Sequence, residues 1–248
     1  MAYSVRMAQK DMKHELNFFI TDNMTGSLKT IKPTAVLDIF QSLAGSHVKL
    51  LDLSVDKLIS SGYAWVLQSV KYEKTADIKS ETCVKGITVP LKPVGVFYDR
   101  DYLIQDENGN VLIKGTSRWV IVNIKTRKIE LEKRFTYPEN EFCEQNLHNN
   151  FGKPERLRIS QTDMTKIGEY EVRKSETDIL GHMNNTRYAD LIFNFFPESL
   201  KSLEIEYVKE IKAGELVSVY QKDDGCKTYV LGAVNGEKRF VSRFEREV

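Results

Sequence analysis

Apolar and polar residues alternate with a period of two along much of this chain, and shift to a three-and-four spacing in two places. The alternation begins at His14–Thr21, read as a first strand, and enters a polar turn at Asp22-Asn23-Met24-Thr25-Gly26. Val36, Ile39, Phe40, Leu43, Ala44, His47, Val48 and Leu51 then recur on one helical face, predicting an amphipathic helix from about Pro33 to Leu51. Pro33 suits its first turn, where a missing N–H costs nothing. Period two returns at Ala64–Glu73, Glu81–Val89, Val94–Gln105, Val111–Asn123 and a short Lys128–Leu131. Pro90, Pro93 and the hairpin signal Glu107-Asn108-Gly109-Asn110 separate these strands. One helix followed by a run of strands predicts an α+β layer, the helix packed across a curved antiparallel sheet. Nothing alternates strand with helix, so a doubly wound sheet is excluded.

After Tyr137 the stretch to Glu155 is polar and turn-rich without a period, and reads as a linker. The pattern then repeats in shorter form. A strand at Glu169–Arg173, a polar loop at Asp178–Asn184 and a helix to about Phe196 precede strands at Ser202–Lys209, Glu215–Gln221, Lys227–Val234 and Lys238–Glu245. Residues repeat as well as order: Val70-Lys71-Tyr72-Glu73-Lys74 answers Ile205-Glu206-Tyr207-Val208-Lys209, and Asp22 to Gly26 answers Asp178 to Gly181. We read a tandem duplication, a pseudo-dimer in one chain, with units at 1–136 and 157–248 joined by 137–156. One copy carries His182, so the halves are expected to divide the labour.

Composition narrows the class. With 248 residues, 41% hydrophobic and 29% charged, the chain is ordinary for a globular protein. Lys+Arg 36 against Asp+Glu 35 leaves +1, which removes a global electrostatic case for nucleic acid. No stretch approaches the roughly 20 apolar residues of a membrane span, and the start lacks the apolar core of a signal peptide, so a cytoplasmic protein is expected. Three dispersed cysteines and four histidines show no metal-ligand spacing, and no glycine-rich nucleotide motif occurs. Neither a metal nor a cofactor is expected.

Candidate chemistry concentrates between Lys174 and Pro197. Asp178, His182, Asn184, Asn185 and Tyr188 lie within eleven residues, with Asn184 or Asn185 the expected N-cap of the helix that follows. Free N–H groups at a helix start favour negative charge and so suit an oxyanion. Glu210, after the strand containing Tyr207, adds a second carboxylate. With no GxSxG nucleophile, two carboxylates and an imidazole point to activated water attacking a carbonyl. His47, on the apolar helix face, reads as a packing histidine.

These residues resemble the acyl-acyl-carrier-protein (acyl-ACP) thioesterases of plants and bacteria, over nearly the whole chain. The likeness rests on Gln41, His47, Trp65 and Tyr98–Ile129 in the first half, and on Arg173, Asp178, His182-Met183-Asn184-Asn185, Tyr188 and Tyr207-x-Lys209-Glu210 in the second. It implies a double hot-dog fold and hydrolysis of fatty acyl-ACP to free acid, terminating fatty acid synthesis. Asp178, His182 and Glu210 fall on the family's catalytic positions, with backbone N–H groups near Asn184 and Asn185 polarising the carbonyl. The acyl chain is expected against Val36, Ile39, Phe40 and Leu43. An acidic carrier protein is the implied partner, and the run Lys125–Arg134, five basic residues against two acidic, its candidate dock. A homodimer is compatible with this. Leu180 stands where the family has an Asn, and Ile211 where many plant members have Cys. The alternatives are a non-catalytic acyl-binding protein and a hot-dog acyl-CoA thioesterase or hydratase.

Overall fold

The computed structural model describes residues 12–130, 147–148 and 151–247. Among the described residues, ten strands form one antiparallel sheet: β1 (His14–Ile20), β2 (Tyr63–Lys74), β3 (Thr82–Pro90), β4 (Tyr98–Gln105), β5 (Val111–Asn123), β6 (Thr165–Glu171), β7 (Leu200–Tyr207), β8 (Leu216–Asp224), β9 (Lys227–Val234) and β10 (Glu237–Arg246). Their order is β1-β3-β4-β5-β2-β7-β10-β9-β8-β6, a five-strand pattern followed by its own reversal. The seam is β2 on β7, where Val70 pairs with Ile205. These two residues are also equivalent in the sequence repeat, 135 positions apart (70 to 205). The pseudo-two-fold axis therefore passes through that pair, and the repeated strands meet each other as the two copies of a dimer would.

Four α-helices among the described residues accompany the sheet: α1 (Asp22–Thr25), α2 (Pro33–Leu50), α3 (Val55–Ser60) and α4 (Arg187–Phe195). The apolar stripe of α2 is buried as its spacing predicts, with Val36, Ile39, Phe40 and Leu43 all but sealed from solvent. Phe40 stacks on Tyr102 with centroids 4.3 Å apart. Its ring lies over Gly115 of β5, where an added Cβ would stand 2.2 Å from ring carbons, so this close approach requires glycine. The shorter α4 buries Tyr188, Ala189, Leu191 and Ile192 in the same cluster. Arg187 of α4 holds Asp38 of α2 through two bonds of 2.7 and 2.6 Å, tying helix to helix across the axis.

Several local expectations are corrected. Val94 and Phe97 form an isolated bridge rather than the start of β4, because Gly95 between them takes φ 62° and turns the chain. Lys128–Leu131 is a single bridge, Ile129 to Val122, and Leu131 lies outside the described residues. Neither Asn184 nor Asn185 is the N-cap of α4. That position is Thr186, and Asn184 Oδ1 acts before it by accepting from the Thr186 N–H at 3.0 Å. Helix α3, which periodicity did not single out, starts at Ser54, whose hydroxyl accepts from the Lys57 N–H. Most of 137–156 lies outside the described residues.

Candidate active site

The loop before α4 is built by one carboxylate. Asp178 Oδ1 accepts the N–H groups of Leu180 (2.8 Å) and His182 (3.2 Å), and Gly181 at φ 77° closes the turn. The Asp178 N–H in turn donates to the His182 carbonyl at 2.8 Å. Asp178 thus fixes the backbone on which His182 sits. The loop is then stitched to the segment after β7: His182 bridges Lys212, and the Met183 N–H donates to the Ile211 carbonyl at 2.7 Å. Ile211 is fully buried and anchors that segment. Residues nearly thirty positions apart are thereby juxtaposed, and His182 and Glu210 face one cleft.

That cleft, about 270 Å³, is lined by Asp178, His182 and Glu210 together with Tyr188, Asn185 and Arg127. Arg127 comes from the turn after β5 and pairs with the Glu210 carboxylate. Burial acts to raise the Glu210 pKa, but the hydrogen bond and charge of Arg127, with His182 beyond, outweigh it and hold the pKa below the ordinary carboxylate value. Glu210 therefore stays ionised at neutral pH, the form a base requires.

Around the turn into α4, three of four amides are engaged. Asn184 N–H donates to the Glu176 carbonyl, Thr186 N–H to Asn184 Oδ1, and Arg187 N–H to the Asn184 carbonyl. Asn184, expected to present its amide to substrate, spends its N–H and Oδ1 within the turn and lines the larger cleft beside Asn185. The Asn185 carbonyl accepts from Tyr207 Oη at 2.8 Å, which pins this peptide against the sheet.

A second cleft of about 510 Å³ adjoins the first and shares Ala64, Trp65, Asp178, Leu180 and Asn185 with it. It runs along the flank of α2, past Gln41, Ala44, Gly45 and Val48, and is closed by Ile59 of α3 and the aromatic rings of Trp65, Tyr98 and Trp119. Trp65 meets Tyr98 edge-on at 5.0 Å and donates to the Leu53 carbonyl at 3.1 Å, so this wall is fixed. Val36, Ile39 and Leu43 line neither cleft; they belong to the core. Phe40 reaches only a recess of about 20 Å³ beside Leu37 and Tyr207. Ala44 and Val48 belong to the apolar helical stripe, whereas Gly45 and Ile59 lie outside it; for Gly45 the sequence signal is a small residue on a helix flank.

His47 is buried, receives Arg100 Nη1 on its Nδ1 at 3.0 Å, and has a pKa lowered to about 3 by burial, then by Arg100 and His14. It is a neutral packing group, as read from its position on the helix. Leu180, 53% exposed, borders both clefts where an amide was expected. Lys125, Arg127 and Lys128 of the basic run are described, whereas Lys133 and Arg134 lie outside the described residues. Among the described residues no His, Cys, Asp or Glu cluster is arranged to hold a metal, and no helix is long and apolar enough to cross a membrane.

Comparison with known proteins follows the two-part architecture. The profile of the acyl-ACP thioesterase N-terminal domain matches residues 9–133, and that of the acyl-ACP thioesterase C-terminal domain matches 159–242. The chloroplastic acyl-(acyl-carrier-protein) hydrolase FATB2 of Cuphea viscosissima is 26% identical over 222 residues, covering 83% of this chain and 54% of that protein. The chloroplastic oleoyl-acyl carrier protein thioesterase 2 of Arabidopsis thaliana is 22% identical over 247 residues, covering 86% and 63%. The chain thus spans between half and two thirds of the length of these relatives. Among solved structures, an acyl-ACP thioesterase from Bacteroides thetaiotaomicron superposes with a TM-score of 0.87 at 21% identity, covering 97% of this chain and 100% of that one. A 12:0-ACP thioesterase from Umbellularia californica gives 0.84 at 17% identity, covering 95% and 97%.

Proposed function

The chain belongs to the acyl-ACP thioesterase family, and we propose that it hydrolyses fatty acyl-ACP to free fatty acid and carrier protein. The observation that carries this reading is the convergence of Asp178, His182 and Glu210 on one cleft that opens into a larger apolar one. The first holds the reaction; the second holds the chain of the substrate. The half at 1–136 supplies most of the apolar wall and the half at 157–248 the chemistry, so one chain contains a whole site.

In the proposed mechanism the thioester carbonyl sits at the start of α4, where the Asn185 N–H is, among the described residues, the amide of the turn left to polarise it. Glu210 removes a proton from water as the water oxygen attacks the carbonyl carbon. The negative charge that develops on the carbonyl oxygen is met by the Asn185 N–H and the positive end of α4. Collapse breaks the carbon–sulfur bond, and the proton returns to the departing thiolate through His182. Asp178 acts on this sequence through the backbone, by fixing the loop that presents His182. The basic turn at Lys125–Lys128 borders the mouth and suits an acidic carrier.

Incubation of the purified protein with acyl-ACPs of graded length and saturation, followed by mass spectrometry of free acids, tests the reading. Release of acid from some of them is expected. Binding without release from any would leave a non-catalytic acyl-thioester-binding protein, the reading that Leu180 in place of an Asn favours.

A further inference from the structure

We propose that Arg127 is the positioning residue of the base: a guanidinium from the half that carries no chemistry holds the Glu210 carboxylate beside His182. This rests on the hydrolytic reading above and adds a fourth residue to it.

The mounting of Arg127 is the first argument. It stands in the turn between Asn123 and Lys128 with φ 56°, a left-handed conformation uncommon for a non-glycine residue and held here by its surroundings. Those surroundings are visible. Asn123 Oδ1 accepts the N–H groups of Lys125 and Thr126, both at 3.0 Å, and the Asn123 carbonyl accepts the Arg127 N–H at 2.9 Å. The Asn123 N–H closes the turn onto the Lys128 carbonyl at 2.9 Å. The guanidinium is thus carried on a braced turn.

The second argument is how the neighbouring charges are assigned. Glu210 is faced by Arg127 from this turn, by His182 and Asp178 from the loop before α4, by Tyr188 from α4, and by Arg239 from β10; Lys209 precedes it in the chain. Lys209 is taken up by Glu237, at 2.8 and 2.9 Å. Arg239 lies 3.5 Å from both Glu215 and Glu237, and reaches Glu210 only at its backbone carbonyl, 3.3 Å away. Among the described residues, Arg127 is therefore the cation in contact with the Glu210 carboxylate. The pair joins residues 83 positions apart and crosses from one half to the other. A base with three rotatable side-chain bonds needs such a partner, because an ångström of misplacement can cost about a hundredfold in rate.

The test uses a carrier-free acyl thioester, such as an acyl-N-acetylcysteamine, so that a loss of carrier docking at the basic turn cannot account for the result. Arg127→Gln should lower kcat about 10- to 100-fold with KM little changed. The acid limb of its kcat/KM profile should move to higher pH, because the hydrogen bond and charge of Arg127 that hold the Glu210 pKa down are gone while burial remains. Arg127→Lys should recover part of both. In a Glu210→Gln background, Arg127→Gln should cost nothing further. Arg127 is 68% exposed, so raising salt should also move the wild-type acid limb upward, a measurement that stands if the variants fail to fold. An immobile limb in Arg127→Gln and in salt, or an equal loss from Arg127→Gln with and without Glu210, would overturn the proposal while leaving the hydrolytic reading intact. A wild-type protein that cleaves no acyl thioester defeats both.

Discussion

The two halves share a frame and differ at equivalent places. In the second half, just beyond β7 and Val208, stand Lys209, exposed, and Glu210, which faces the cleft. Their counterparts after the same repeat offset are Lys74 and Thr75. Lys74 is buried and bonds Asp77 (2.7 Å), Glu247 (2.8 Å) and Ser199 (2.9 Å), while the Thr75 hydroxyl is engaged by the Val111 carbonyl. The loops diverge likewise. Asp178 opens a turn that presents His182, whereas Asp22 begins a four-residue helix whose end is covered by Lys32, bonded to the Asn23 carbonyl. One site is open and titratable; the other is closed by hydrogen bonds. In exchange, the first half has the eighteen-residue α2 and, along its flank, the larger cleft. Under the proposed mechanism, a duplicated fold separates holding a substrate from reacting with it, because side chains at matching positions are either saturated or left free.

The strongest way to break this comparison is at Glu210. Glu210→Gln should lower kcat on acyl-ACP about 10²–10⁴-fold, whereas Thr75→Ala at the matching position should leave it near wild type. Glu206→Gln, four residues earlier on β7, is the control: its carboxylate accepts the Leu157 N–H at 2.8 Å and stays outside the cleft, and an amide oxygen can accept in its place. Steady-state kinetics decides, and equal losses at Glu210 and Thr75 would erase the asymmetry.

Lys74→Met should reverse the cost, leaving turnover intact but removing about 1–3 kcal/mol of stability in chemical denaturation, since two carboxylates lose their partner but remain partly solvated. Ile39→Trp sharpens the distinction between core and cleft. It should destabilise by about 1–3 kcal/mol through overpacking, with no change in the lengths of acid released. Gly45→Met should do the opposite. A Cβ at Gly45 meets open space, so the longer side chain narrows the cleft and shifts the products toward shorter acids. Replacing a helical glycine also favours folding, by about 0.5–1 kcal/mol, read as a small rise in the thermal midpoint. A product profile unchanged in Gly45→Met but altered in Ile39→Trp would place the chain in the core.

Much of this architecture was legible because its determinants are local. Alternation placed nine of the strands within a few residues of their observed ends, since a one-residue slip would turn every apolar side chain outward. The turn at Asp106–Asn110 was legible for the same reason: the Asp106 carboxylate caps Asn108 and Asn110 within four residues. The position of β6 drifted, because its half-buried residues give a weak alternation. Helix α3, six residues long, is too short to establish a period. Motif and resemblance single out Asp178, His182 and Glu210 as a group, and all three line one cleft.

The sequence by itself determined the α+β class, the duplication, the buried stripe of α2 and the identity of the candidate catalytic groups, because each depends on chemistry repeated over a few neighbouring positions. Only the tertiary structure decided that β2 and β7 fuse the copies into one sheet, that the cleft runs beside the stripe rather than on it, and that Arg127 serves Glu210. Those outcomes depend on which surfaces meet across scores of residues. The contact that decides each one belongs to two distant segments at once, and neither segment carries a local mark of the other.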